Sequence, residues 1–350
     1  MSDPAPSHGH GHGHRHEHPK GVAARLSALL RPHSHDAADA VDDALEASAD
    51  GIRAVKVSLA VLGVTAAAQA VLVLLTGSVA LLADTIHNLS DALTAVPLWI
   101  AFVLGRRHPN RSYTYGFGRA EDLAGIFIVA MIALSAVVAG HQSLSRLVDP
   151  QPIDFPWVVA AAGVIGFVGN EAVAAYRIRV GRRIGSAALV ADGHHARTDG
   201  FTSLAVVLGV LGVLAGMPLA DPIVGLLITV AILVVLRSAA RDIYRRLMDA
   251  VDPAVTEEAL RCVRTTDGVA DVESLRIRWI GHRLYAETGI VVDHRLDVVA
   301  AHEIANDVHH RLLHAVPKLV DVTVHVSPGP DSGQGFHEAI AHHPRPENVR

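Results

Sequence analysis

The chain has 350 residues, half of them hydrophobic, with 19% charged and 4% aromatic residues and a formal net charge of −5 when histidine is counted as neutral. With a positive mean hydropathy, that balance fits a polytopic membrane protein carrying soluble parts and offers no basic excess for nucleic acid. The single cysteine, Cys262, excludes an internal disulfide framework and a cysteine-rich zinc module, whereas 23 histidines point towards metal or proton chemistry.

Residues 1–50 are polar, with His8, His10, His12, His14, His16 and His18 alternating with other small or charged residues, and with His33 and His35 further on. No apolar period runs through this stretch, so it is expected to be a disordered cytoplasmic tail in which neutral imidazoles, His10, His12, His14 and His16 among them, loosely collect metal. The start of the chain is histidine-rich rather than basic and then apolar, so no cleavable signal peptide is read there.

Six apolar segments follow, at about 55–76, 79–104, 121–143, 156–176, 187–215 and 219–239, each near the roughly 20 residues that cross a bilayer. Arg53 and Lys56 precede the first segment, and Arg106, Arg107, Arg111 and Arg119 separate the second from the third. Arg177, Arg179, Arg182 and Arg183 separate the fourth from the fifth, and Arg237, Arg241, Arg245 and Arg246 close the sixth. The alternate connections carry only Arg146, so the positive-inside rule places both termini in the cytoplasm.

From residue 250 the composition is that of a soluble domain. A helix over about 255–266, strands near 271–280 and 283–293 joined by a turn at His282, an amphipathic helix over about 297–315 and a strand at 322–326 are expected. This α-β-β-α-β order over 250–328 fits a small ferredoxin-like α+β domain with its helices on one sheet face. The helix at 297–315 is expected to bury Val298, Ala301, Ile304, Ala305, Val308 and Leu312. Residues 329–350 are rich in Gly, Pro and His and are expected to be a disordered tail. The expected organisation is thus a tail (1–50), a transmembrane domain (51–249), an α+β domain (250–328) and a second tail.

Inside the second and fifth apolar segments the chain repeats one pattern, A-D-x-x-H-x-x-x-D, with Asp84, His87 and Asp91 in the first copy and Asp192, His195 and Asp199 in the second. Spacings of i, i+3 and i+7 lie along one helix face. Ionisable groups in apolar helices are costly, which makes a functional site the first hypothesis. His87, Asp91, His195 and Asp199 make an N2O2 set suited to tetrahedral zinc, and imidazole favours such borderline metals over magnesium or calcium. Asp84 and Asp192 sit one turn earlier and could be ligands, acceptors for imidazole N–H groups or carboxylates along an ion path. Asn170 and Glu171 could line such a path or make an interhelical hydrogen bond. No nucleotide-binding loop accompanies the site, so an ion gradient would drive transport; since metal displaces the proton of a histidine, metal/proton exchange by alternating access follows. A membrane-tethered metal buffer would need one span rather than six, and a metalloenzyme would need a vacant coordination position that four ligands do not leave.

These motifs, the six-span layout and the α+β tail resemble the cation diffusion facilitator family, in its zinc-exporting form, over about 50–328. Thr76-Gly77-Ser78, the Tyr115–Glu121 stretch and Leu219–Gly225 support the resemblance. It implies a homodimeric exporter in a bacterial inner membrane that moves zinc, or a related divalent ion such as cobalt, cadmium, nickel or iron, out of the cytoplasm against protons. No cofactor is implied, zinc being the substrate and a possible regulatory ligand. The resemblance makes His87, Asp91, His195 and Asp199 the transport site, and pairs Arg119 with Asp249 as a charge interlock linked to the dimer. It also suggests a cytoplasmic metal site around His302 and His325, with Glu273 where some relatives have histidine and His282 as a substitute ligand. A peripheral site of some relatives is expected to be absent, since Tyr113 and Phe117 stand at its positions.

Overall fold

The computed structural model describes residues 37–76, 95–148, 155–217 and 219–329; of residues 37–46 and Thr76 it describes the backbone alone. The N-terminal histidines, Asp84, His87, Asp91 and the tail from residue 330 therefore lie outside the described residues.

Among the described residues six helices precede the C-terminal domain: α1 (Ala37–Thr76), α2 (Ala95–Gly105), α3 (Arg119–Val148), α4 (Pro156–Ile184), α5 (Ala187–Leu214) and α6 (Ala220–Leu247). Five contain stretches long and apolar enough to cross a membrane, and α2 is a shorter apolar helix within the expected second segment. Their outward surfaces carry residues such as Leu74, Val137, Val168 and Val234, all exposed, as suits helices facing lipid.

Two expectations are corrected here. Helix α1 begins at Ala37, not after residue 50. Residues 37–47 contain Ala37, Ala38, Ala40, Ala44 and Ala47 with Leu45, which favour helix strongly, and from Ser48 onward the helix has partners across the fold. The basic clusters expected in connections instead lie on helices: Arg177, Arg179, Arg182 and Arg183 are in α4, and Arg237, Arg241, Arg245 and Arg246 are in α6. The helices simply outrun their apolar stretches.

Antiparallel α4 and α5 form the tightest pair, because glycines on one meet side chains and backbone on the other. A Cβ placed on Gly181 would lie 2.9 Å from the Val190 nitrogen, one on Gly193 would lie 3.0 Å from the Ile178 nitrogen, and one on Gly163 would lie 3.1 Å from the Ser203 oxygen. Gly200 packs on Asn170 and Gly166 on Ser203, so small residues run the whole length of the contact. Helix α1 crosses α4 where Gly169 meets Thr65, and Gln69 donates from Nε2 to the Ala162 carbonyl at 3.3 Å. The α4–α5 turn closes at Gly185, whose φ of 80° suits glycine, and Ser186 caps α5 by accepting from the Leu189 N–H at 3.0 Å.

The C-terminal domain consists of α7 (Pro253–Arg264), β1 (Asp271–Ile280), β2 (Arg283–Val292), α8 (Val298–Ala315) and β3 (Leu319–Pro328). The sheet order is β1-β2-β3, antiparallel between β1 and β2 and parallel between β2 and β3, with α8 as the crossover a parallel pair needs. Asp252 and Asp297 cap the two helices through the Ala254 and Ala300 N–H groups. Ala259, Val263, Ala305, Val308 and Leu312 from the helices meet Leu275, Leu284, Ala286, Ile290 and Leu319 from the sheet. The expected order is present, with β3 longer at both ends than the 322–326 core. Val298 departs from expectation: in the first turn of α8 it is 86% exposed, as is most of Val299 beside it.

Candidate metal site

Helix α5 carries the second repeat on its packed side. Asp192, His195, Thr198 and Asp199 are all buried, His195 at 1% and Asp199 at 4% exposure. His195 Nδ1 lies 3.8 Å from Asp199 Oδ1 one turn further along. Two ligands of one tetrahedral zinc ion stand about 3.3 Å apart at bond lengths near 2.0–2.2 Å, so a small adjustment would let one ion bridge this pair. Hydroxyls fill the backbone around it: Thr198 Oγ1 donates to the His195 carbonyl at 2.7 Å, and Thr202 and Ser203 donate to that of Asp199 at 2.7 and 3.2 Å.

Asp192, one turn before His195, has a different neighbour. Arg177 of α4 places Nη1 2.9 Å from Asp192 Oδ2, and both side chains are shut away from solvent. In the sequence Arg177 reads as one of four basic connection residues; among the described residues the structure makes it the largest fully buried side chain. Its only advance signal was its place at the apolar segment's edge. Glu171 goes to Arg197, which holds it with two hydrogen bonds of 3.0 and 2.6 Å on a half-exposed face, and Asn170 is buried against Gly200. Of the two alternatives for Glu171, the interhelical contact is the one formed.

The remaining candidates are spread out. Arg119 donates to Asp249 at 3.1 Å within one chain, at the foot of α3 and α6. Glu273 is the extra residue of a bulge in β1, where it accepts from Ser327 Oγ at 2.8 Å; His325 pairs in register with Gly289 beside it. His302 is exposed on α8. Among the described residues no three His, Cys, Asp or Glu side chains gather as a metal cluster.

His282 is not near that group, which corrects its reading as a substitute ligand there. The β1–β2 turn, with Gly281 at φ 61°, drives the imidazole under the helices. Its Nδ1 lies 2.8 Å from Glu121 Oε2 and its Nε2 3.3 Å from Ser48 Oγ, with the Phe102 ring beside it. Gly118 is the floor of this junction, since a Cβ there would lie 3.1 Å from the Ile280 carbonyl. Arg246 stacks over Trp279 at 3.8 Å and donates to the Gly185 carbonyl. Lys318, held low in pKa by burial and then by Arg246, packs on Gly185 at the α4–α5 turn. His282→Ala leaves the Glu121 carboxylate, 4% exposed, without its imidazole. A loss of about 1–3 kcal/mol in stability is expected for such an orphaned group. Thermal unfolding of the full chain in detergent checks it, and an unchanged midpoint would show that the junction is held elsewhere.

A bundle of helices long and apolar enough to cross a membrane, joined to a small α+β domain, defines a multi-pass membrane protein. Comparison with known proteins gives its family. A protein-family model of the cation efflux transmembrane domain matches residues 55–248, and one of the cation efflux cytoplasmic domain matches residues 251–329. A probable cation efflux system protein of Mycobacterium tuberculosis is 60% identical over 321 residues, covering 90% of this chain and 97% of that protein. Metal tolerance protein 2 of Oryza sativa subsp. japonica is 28% identical over 84% of this chain and 82% of its own length. The magnetosome protein MamB of Paramagnetospirillum magneticum is 25% identical over 75% of this chain and 89% of its own length. The chain belongs to the cation efflux family, the cation diffusion facilitators, and is a cation efflux transporter rather than an enzyme.

Proposed function

We propose that this protein exports zinc from the cytoplasm in exchange for protons. The observation that carries the reading is the His195–Asp199 pair, buried side by side on a helix long and apolar enough to cross a membrane. Imidazole and carboxylate together suit zinc, and both must lose protons to bind it, so metal and proton compete for the same atoms. His87 and Asp91, the matching residues of the first repeat, complete the four ligands. Two neutral imidazoles and two carboxylates balance the ion's charge, which lets a divalent cation sit in a low-dielectric interior.

The protein works as a homodimer in a bacterial inner membrane, with six spans and both termini in the cytoplasm. The Arg119–Asp249 pair ties the foot of α3 to the end of α6 and so braces the helices against the cytoplasmic domain. That domain serves dimerisation and regulation, Glu273, His302 and His325 completing any metal site only with groups from outside the single chain. The histidine-rich tail gathers metal near the entrance.

The test is flux in proteoliposomes of the full chain. Zinc is expected to accumulate in an acidic lumen and to stop accumulating when the pH gradient is collapsed. Accumulation indifferent to the gradient would remove the antiport, and movement of cobalt, cadmium, nickel or iron in preference to zinc would change the ion.

A further inference from the structure

The Arg177–Asp192 pair has no part in the reading above, and stability does not account for it. Both side chains are fully buried between α4 and α5, at 2% and 0% exposure. Among the described residues, Arg177 Nε and Nη2 and both Asp192 carboxylate oxygens lack a well-formed hydrogen bond, the 2.9 Å approach being a charge contact. Apolar side chains of similar volume generally serve a helix interface as well as or better than a buried ion pair. Each unmet donor adds a further cost, since a buried polar group without a partner keeps its full desolvation penalty. What the pair supplies is charge at a particular place.

That place is one turn from the metal site. Asp192 precedes His195 by three residues and Asp199 by seven, so all three carboxylate and imidazole groups line one face of α5 over about 10 Å. A bare carboxylate there would be a third ligand on one helix. It would add another negative charge to an ion that must leave again, and transport needs a site that binds and also releases. We propose that Arg177 is a positioning residue that holds Asp192 out of the metal's coordination: the tethered guanidinium occupies the carboxylate that the zinc ion would otherwise take, and so sets how fast the ion is released. The α4–α5 register makes this possible, because Gly181 against Val190 and Gly193 against Ile178 bring the two backbones close on either side of the pair. This inference rests on His195 and Asp199 being ligands.

The test uses the full chain in detergent for zinc-binding calorimetry and in proteoliposomes for transport. Arg177→Gln frees Asp192. It is expected to bind zinc about tenfold more tightly, with KM and kcat both falling, in line with the tenfold scale on which groups next to a metal site act. Arg177→Lys keeps the charge and should stay near the parent. In Arg177→Gln/Asp192→Asn the tightening should vanish. Asp192→Asn alone removes no ligand but leaves the Arg177 charge uncompensated beside the site, so it is expected to weaken zinc binding by clearly less than Asp199→Ala does. Should Arg177→Gln fail to fold, Asp192→Asn decides the matter, because a loss of affinity as large as that of Asp199→Ala would make Asp192 an ordinary ligand and overturn the proposal. An Arg177→Gln protein with parental affinity, or a double variant that stays tight, overturns it too. Asp199→Ala is the separate control: if it binds and moves zinc normally, the site reading fails and takes this inference with it, whereas its inactivity beside unmoved Arg177 variants rejects this inference alone.

Discussion

Asp199→Ala and His195→Ala proteins are expected to reach the membrane folded and to export metal at least about a hundredfold more slowly than the parent, since even groups outside the metal's direct reach cost tenfold to a hundredfold when removed. Burial gives these two residues their weight. At 4% and 1% exposure, each supplies a polar atom to an interior where water cannot replace it. Each truncation removes one side of the 3.8 Å His195–Asp199 contact and leaves the close α4–α5 packing untouched, so folding should survive while the ion's coordination does not. Arg197→Gln is the matched comparison on the next face of α5. Its pair with Glu171 is 30% and 36% exposed, and exposed ion pairs of that kind contribute little, so export should stay within about twofold. Metal flux, read beside gel filtration of the same preparations, separates lost coordination from lost fold. Full export by Asp199→Ala would end the assignment.

Gly193→Val is expected to be the most damaging change outside the ligands. A Cβ at this position would lie 2.6 Å from Ile178 Cγ1, 3.0 Å from the Ile178 nitrogen and 3.2 Å from the Ala174 carbonyl. Two of those three atoms are backbone and cannot rotate away, so α4 and α5 must separate. Overpacking of this sort costs about 1–3 kcal/mol or more, and here it would also displace Asp192, the preceding residue, and His195, two residues on. A lower unfolding temperature in detergent together with lost export is the expected result. Gly63, in the same family of small residues on α1, meets nothing within 4 Å. Gly63→Ala should therefore be neutral or slightly stabilising, by up to about 1 kcal/mol, through helix propensity. If Gly193→Val proves as harmless as Gly63→Ala, the close helix contact is not as described.

Much of the fold is legible in the sequence because the signals are local. Apolar runs of membrane-crossing length, the alternation that marks β1 at 271–280, and the 3.6-residue period behind Ala305, Val308 and Leu312 all act within a few residues of chain. The A-D-x-x-H-x-x-x-D repeat is legible for the same reason, since a helix converts its spacing into a common face without help from elsewhere. Where α1 begins is less so: the helix starts in a stretch with no apolar period, and its anchor, Ser48, is a contact with the distant His282.

Other features depend on which helix lies beside which, and no local pattern encodes that. In the repeat, Asp192 and Asp199 are equivalent carboxylates on one face of α5; only the register of α4 puts Arg177 against the first and leaves the second beside His195. Arg177 itself reads as one more basic residue near a helix end until Gly181 and Gly193 draw the two helices together and bury it. His282 reads as a turn residue free for metal until the β1–β2 turn docks against Glu121. Most of the helices, the strands and the His-Asp face of α5 can be read from the chain alone, because hydropathy and spacing are properties of single elements. The tertiary structure alone decided the partner of each ionisable group, because a charge in a low-dielectric interior takes its role from the neighbour within about 4 Å, and that neighbour comes from another part of the chain.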